Sequence, residues 1–142
     1  MSTREERVAA IVAEHAGREG PLLPILHDVQ HELGCVDADS EALVAKGLNL
    51  SRADVHGVVS FYHDFHDQPD LRPVVQVCRA EACKARGVEA IIDQATAAAG
   101  DRVKVQTVYC LGLCSSGPAA RVGDRLHARL DGPELAQIVE NA

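Results

Sequence analysis

Four cysteines in the second half of the chain constrain it more than any other feature. They fall in two pairs, Cys78-Arg-Ala-Glu-Ala-Cys83 and Cys110-Leu-Gly-Leu-Cys114, with 26 residues between them. Four thiolates are the donor set of a tetrahedral iron or zinc site. Two pairs let two short loops grip one object from two sides. Structural zinc favours a two-residue gap, which turns tightly around one small ion. Gaps of four and three are wider and suit a pair reaching around a two-iron unit. Spacing alone leaves three readings open: an iron–sulfur cluster, a structural zinc, or a redox disulfide.

Composition narrows the setting. The chain has 142 residues, enough for one medium domain or two small ones, and 46% of them are hydrophobic. Aromatics are 3% and Trp is absent, so the core must be aliphatic and rich in Ala. A net charge of -7 argues against nucleic acid and against an anionic membrane surface. No apolar run approaches the roughly 20 residues that span a bilayer. The opening Met1-Ser-Thr-Arg-Glu-Glu-Arg-Val is charged and does not read as a signal peptide. A cytoplasmic setting follows as the expectation. In such a reducing compartment, five cysteines are better explained as metal ligands or catalytic thiols than as disulfides. The fifth, Cys35, is then a bystander.

The first 66 residues read as a bundle of four helices. Val8, Ile11, Val12 and His15 recur at helical spacing after a Thr3 cap, with Glu5 and Glu6 in the first turn. A second helix follows Pro21, with Leu22, Leu26, Val29 and Leu33 as its apolar face and Gly34 as its stop. A short third helix starts at Asp39 or Ser40 and ends at Gly47. Ser51-Arg-Ala-Asp54 resembles a capping box and opens a fourth helix through Val55, Val58, Val59 and Tyr62.

Residues 67–73 carry two prolines and read as a linker. From residue 74 to residue 142 the expected order is β-α-β-β-β-α. Val74 to Val77 is a strand that stops at Cys78. One helix follows Cys83, with Val88, Ile91, Ile92, Ala95 and Ala98 inward and Gly100 at its end. Val103, Val105, Thr107 and Val108 form a strand that stops at Cys110. Gly123-Asp124 joins a hairpin, and Asp131 caps a last helix over 133–141. The fold class is therefore α+β, a helical bundle followed by an α/β domain. Both cysteine pairs begin where a strand ends, and strand C-termini form the working edge of such layers. Gly112, Gly117 and Pro118 let the second loop turn tightly. The order suits a thioredoxin-like fold, yet there is no C-x-x-C for a thioredoxin-type active site.

Cys78-Arg-Ala-Glu-Ala-Cys83 and Tyr109-Cys110-Leu-Gly-Leu-Cys114-Ser-Ser-Gly-Pro-Ala119 resemble the thioredoxin-like [2Fe-2S] ferredoxin family. That family includes the 24 kDa subunit of respiratory complex I and its relatives in NAD-reducing hydrogenases and formate dehydrogenases. Leu26-His-Asp-Val-Gln30-His-Glu-Leu-Gly34 and Val55-His-Gly-Val-Val-Ser-Phe-Tyr62-His-Asp-Phe65 are similar to its N-terminal bundle. The short chain and the Arg-Ala-Glu-Ala insert look most like the gamma subunit of NAD-dependent formate dehydrogenase. The resemblance implies a thioredoxin-like second domain, and Cys78, Cys83, Cys110 and Cys114 as ligands of a [2Fe-2S] cluster. It also implies an electron-transfer role beside an FMN/NAD flavoprotein subunit, and a larger molybdenum- or tungsten-containing subunit that does the catalysis. The equivalent subunit of a hydrogenase or of complex I is the alternative within the family. A zinc-stabilised interaction module is the alternative outside it. No G-x-G-x-x-G or P-loop is present, in keeping with a subunit that binds no nucleotide itself.

Such a cluster carries negative charge that grows on reduction, so N–H donors and cations near sulfur matter. Ser115, Ser116 and the start of the helix near Cys83 are candidate donors. Arg79, Lys84 and Arg86 are candidate cations, either for the potential or for partner binding, against a reading as solvated charges. His27 and His31 share a helix face, and His63 and His66 sit at the end of the bundle. Exposure explains the first pair, and interface or solvent contact the second, more simply than a metal does. His15 and His127 read as structural or exposed. Phe61, Tyr62 and Phe65 are either core packing or a docking surface.

Overall fold

In the computed structural model, residues 2–142 are described, and the chain divides into two compact units, Met1–Leu71 and Arg72–Ala142. Four helices make the first: α1 (Arg4–Glu14), α2 (Leu22–Leu33), α3 (Ala38–Leu48) and α4 (Arg52–Phe61). Local chemistry sets their ends. Thr3 with Glu6, and Ser51 with Asp54, close capping boxes on α1 and α4. Gly34 ends α2 at φ 84°.

Two boundaries differ from the sequence reading. α3 starts earlier because Asp37, not Asp39 or Ser40, is its cap and accepts from the Ser40 N–H at 2.9 Å. It also runs through Gly47, because Asn49 takes the left-handed stop at φ 55°. Gly47 serves packing instead: a Cβ there would lie 3.2 Å from both methyls of Val12 on α1. The core of this unit includes Val8, Ile11, Ile25, Leu26, Val29, Val44, Val55 and Phe65. Ile25, which the expected α2 face omitted, is fully buried, while Leu22 and Leu33 lie at the margin of that core.

The second unit is built on β1 (Val74–Cys78), β2 (Lys104–Val108), β3 (Ala120–Val122) and β4 (Arg125–His127). Their order across the sheet is β2-β1-β3-β4. β1 and β2 are parallel, with Val74 opposite Lys104 and Cys78 opposite Val108. β3 pairs antiparallel with both β1 and β4. β2 is an edge strand, so Thr107 is exposed where simple alternation put it on the same face as buried Val103.

The single helix expected after Cys83 is two helices. α5 (Glu81–Ala85) contains Cys83, Gly87 breaks the path at φ 97°, and α6 (Val88–Ala99) follows. Cys83 is therefore inside a helical turn and not ahead of one. α7 (Gly132–Asn141) begins at a capping box between Asp131 and Glu134 and packs against α6. Val75, Val77, Val88, Ile92, Ala95, Leu135 and Val139 fill the core between helices and sheet. The described residues thus form an α+β fold, with seven α-helices and a mixed four-stranded sheet. Among the described residues, no helix is long and apolar enough to cross a membrane.

Candidate functional site

The register of β1 and β2 sets the site. Cys78 is the last residue of β1 and lies opposite Val108, the last of β2. Both segments then leave the sheet at the same end, side by side. The Arg79 N–H donates to the Val108 carbonyl at 2.9 Å and continues the ladder one step past the strands. Two residues beyond β2, Cys110 takes φ 97°, a costly conformation for a side-chain-bearing residue. It aims the Cys110 N–H at Cys78 Sγ, 3.3 Å away. The two cysteine loops, 26 residues apart in sequence, are in hydrogen-bond contact.

The four thiols sit at different depths. Cys78 and Cys83 are 2% and 3% exposed, whereas Cys110 and Cys114 are exposed. Cys110 Sγ and Cys114 Sγ are 3.6 Å apart, and the Gly112 N–H donates to Cys110 Sγ at 3.4 Å. Gly112 is left-handed at φ 79°, which a Cβ would strain. Cys114 opens a 3-10 turn (Cys114–Ser116), closed by the Ser116 N–H on the Leu113 carbonyl at 2.9 Å.

Gly117 is needed for a different reason from the tight turn the sequence suggested. Its φ of -70° suits any residue. A Cβ there would lie 2.9 Å from Cys83 Sγ and 3.3 Å from Arg86 Cδ. The second loop thus rests directly on the first, backbone against thiol.

The electrostatics favour thiolate at Cys78. Burial pushes the Cys78 thiol up, but N–H groups of Ala80, Cys110 and Leu111 and the Cys83 thiol outweigh it and bring it below the ordinary cysteine value. Cys83 moves up, first by burial and then by sharing a site with Cys78. Cys114 moves up because Cys110 stands beside it. Sulfur that accepts several backbone N–H bonds is prepared to stay anionic, the state in which it binds metal.

All five cysteines are free thiols. Among the described residues, no three or more His, Cys, Asp or Glu side chains are placed to hold one ion. The sulfurs form two pairs, one buried and one exposed. Four soft donors in two pairs, held by sheet geometry, with sulfur-directed N–H groups and a glycine cradle, fit a bridged two-iron unit.

The other residues singled out in the sequence fall differently. Arg79 is held in a bidentate pair by Glu89, at 2.6 and 3.0 Å, so its charge is largely matched. Lys84 is near Glu81 at 3.9 Å. Arg86 donates its Nε–H to the Cys114 carbonyl at 3.1 Å. Ser115 is exposed and Ser116 half-buried.

In the helical unit, His15 pairs with Asp28 at 2.6 Å. His27 lies against the Phe65 ring, and His31 and His63 are exposed. Of the clustered aromatics, only Phe65 is core; Phe61 is 72% and Tyr62 41% exposed. Cys35 is buried and belongs to the helical unit, whereas the other four cysteines belong to the second unit. The sequence reading missed the buried Glu41, which meets His56 Nδ1 at 3.1 Å. Its i-to-i+15 spacing across two helices gives no periodic signal.

The chain is similar to known proteins. A family model described as thioredoxin-like [2Fe-2S] ferredoxin matches residues 8–142. A subunit of an NADH-quinone oxidoreductase of Rhizobium meliloti (strain 1021) is 31% identical over 99% of this chain and 89% of its own length. The HndA subunit of the NADP-reducing hydrogenase of Solidesulfovibrio fructosivorans is 28% identical over 86% of this chain and 77% of its own. A crystal structure of an H2-reduced NAD+-reducing [NiFe]-hydrogenase superposes with a TM-score of 0.71 at 26% identity. That match covers 85% of this chain and 22% of the hydrogenase chain, so the chain spans about a fifth of it.

Proposed function

Because the chain belongs to the thioredoxin-like [2Fe-2S] ferredoxin family, whose cofactor is a [2Fe-2S] cluster, we propose that it carries one such cluster on Cys78, Cys83, Cys110 and Cys114 as an electron-transfer subunit of an NAD-linked oxidoreductase. The observation that carries this reading is the parallel pairing of β1 and β2, which brings both cysteine loops to one end of the sheet with the Cys110 N–H on Cys78 Sγ. When bound, the cluster supplies one-electron chemistry that no side chain of this protein offers.

The chain's own residues do three things. Cys78 and Cys83, both buried, would hold the cluster from the inner side. Cys110 and Cys114, both exposed, would hold it from the outer side, where a redox partner has access. The N–H groups of Cys110 and Gly112, directed at sulfur, would offset negative charge gained on reduction.

The partner in this reading is an FMN/NAD-binding flavoprotein subunit. For the parent enzyme we favour a cytoplasmic NAD-dependent formate dehydrogenase with a molybdenum- or tungsten-containing catalytic subunit. The support for that choice is the Arg79-Ala-Glu-Ala82 insert between the first two cysteines. The matched relatives are subunits of NADH-quinone oxidoreductases and hydrogenases.

Anaerobic co-purification of the tagged full chain from its native host tests the assignment. Recovery with a flavoprotein and a molybdenum or tungsten subunit, and NADH-dependent bleaching of the complex, is the expected result. Recovery with hydrogenase or quinone-reductase subunits overturns the choice of parent enzyme and leaves the electron-transfer role standing. Recovery without any flavoprotein overturns the role.

A further inference from the structure

The two cysteine loops are tied together by hydrogen bonds whose donors are backbone N–H groups: Arg79 N–H to the Val108 carbonyl, Cys78 N–H to the Ala119 carbonyl, and the Cys110 and Leu111 N–H groups to Cys78 Sγ. A further tie has a side-chain donor. Arg86 follows α5 directly, and its N–H closes that helix on the Ala82 carbonyl at 3.1 Å. Its stem passes Gly117, where Cδ would lie 3.3 Å from a Cβ. Its Nε–H then reaches the Cys114 carbonyl at 3.1 Å. One residue therefore links the helix that carries Cys83 to the turn that carries Cys114.

We propose that Arg86 is a positioning residue of the cysteine site: its guanidinium holds the Cys114 turn against α5 and so fixes the spacing between the inner and outer sulfurs. The inference rests on the reading that the four cysteines hold the cluster. It differs from a role as one more nearby cation. Lys84 also lies near the site in sequence, yet its ion-pair partner is Glu81 on its own helix, at 3.9 Å, and no link from it to the second loop matches that of Arg86. The Cys114–Ser116 turn is otherwise closed within itself by the Ser116–Leu113 bond and joined to Arg129 through the Ser116 carbonyl. Among the described residues, no other hydrogen bond joins that turn to α5. A guanidinium is suited to this because its planar donors stay charged at any working pH and hold direction better than an ammonium.

The test uses the full chain loaded with its cluster, in four forms: wild type, Arg86→Ala, Arg86→Lys and Lys84→Ala. Three quantities are read: the rate of iron release to a chelator, the midpoint potential, and the paramagnetic-resonance spectrum of the reduced protein. Loss of one charge-assisted hydrogen bond predicts iron release roughly fivefold to tenfold faster in Arg86→Ala, with a changed spectrum. Arg86→Lys, which keeps the charge and can reach the same carbonyl with poorer direction, falls between. Lys84→Ala, which removes a charge and no tie, releases iron as the wild type does. Arg86→Gln keeps the stem on Gly117 and carries the test if the Ala variant does not fold.

An Arg86→Ala protein with the wild-type release rate and spectrum overturns the inference. So does a Lys84→Ala protein that reproduces the Arg86→Ala changes, since charge alone would then account for them. A wild-type chain that binds no iron overturns the cluster reading itself, and this inference with it.

Discussion

Gly117→Ala is the sharpest single-atom test of how the two loops meet. The backbone at Gly117 accepts a side chain, with φ -70° and ψ 166°. Elsewhere that would make the change mildly stabilising, by about 0.4–1 kcal/mol, because the unfolded chain loses freedom. Here the new methyl would sit 2.9 Å from Cys83 Sγ, 3.3 Å from Arg86 Cδ and 3.5 Å from Cys83 Cα. Ordinary contact begins at 3.4 Å, so sulfur and loop must separate by about 0.5 Å. Cys83 is 3% exposed and fixed in α5, so the movement falls on the second loop. Overpacking of this kind costs about 1–3 kcal/mol, which leaves a net destabilisation between about 0 and 2.6 kcal/mol, about 1.3 at the midpoints, in the metal-free protein. Metal sites tolerate distance errors of only about 0.2 Å, so the cluster-loaded protein suffers more. The assay is denaturant unfolding of the metal-free chain alongside iron content and visible spectrum of the loaded one. The expected result is modest destabilisation with a marked loss of iron. A Gly117→Ala protein that is as stable as the wild type and holds its iron as well would refute the packing of loop on thiol.

Three further outcomes follow from the helical unit. Gly57 lies inside α4 with nothing within 4 Å of a Cβ, so Gly57→Ala should raise stability by about 0.5–1 kcal/mol in denaturant unfolding and leave iron content alone. Asp37→Ala should lower stability at neutral pH by about 1 kcal/mol through loss of the α3 cap. Burial disfavours the charge of Asp37, but bonds from Ser40 and the Arg4 guanidinium outweigh it and hold the carboxyl below the ordinary Asp range. Its ionic contribution is therefore complete above that range and lost as pH falls through the lowered value, so the gap between wild type and variant should narrow in acid. Cys35 is buried, and burial with nearby Asp37 pushes its thiol up. Cys35→Ala should keep full iron content and the wild-type spectrum, at a stability cost on the order of 1 kcal/mol.

The sequence made the site legible through its strand ends. Val74 to Val77 and Val103 to Val108 announce two strands, the first ending at Cys78 and the second two residues short of Cys110, so adjacency of the loops follows once those strands pair. The capping residues Thr3, Ser51 and Asp131 were readable because side-chain caps act locally. What lay hidden depends on contacts between distant residues. The break at Gly87 was masked by continuous helical periodicity from Ala85 to Ala99. Gly47 read as a stop because its reason for being glycine is Val12 on another helix. Arg79, Lys84 and Arg86 look alike in sequence; only the fold gives Arg79 to Glu89 and Arg86 to the Cys114 carbonyl.

All of this requires that the four cysteines of the second unit together hold one [2Fe-2S] cluster. The decisive measurement is metal and acid-labile sulfide analysis of the anaerobically isolated chain, joined to paramagnetic resonance after dithionite reduction. Two irons and two sulfides per chain are expected, with visible absorbance that bleaches as the resonance signal of a reduced cluster grows in. One zinc per chain with no labile sulfide, or a colourless and metal-free protein with four titratable thiols in the second unit, would contradict it.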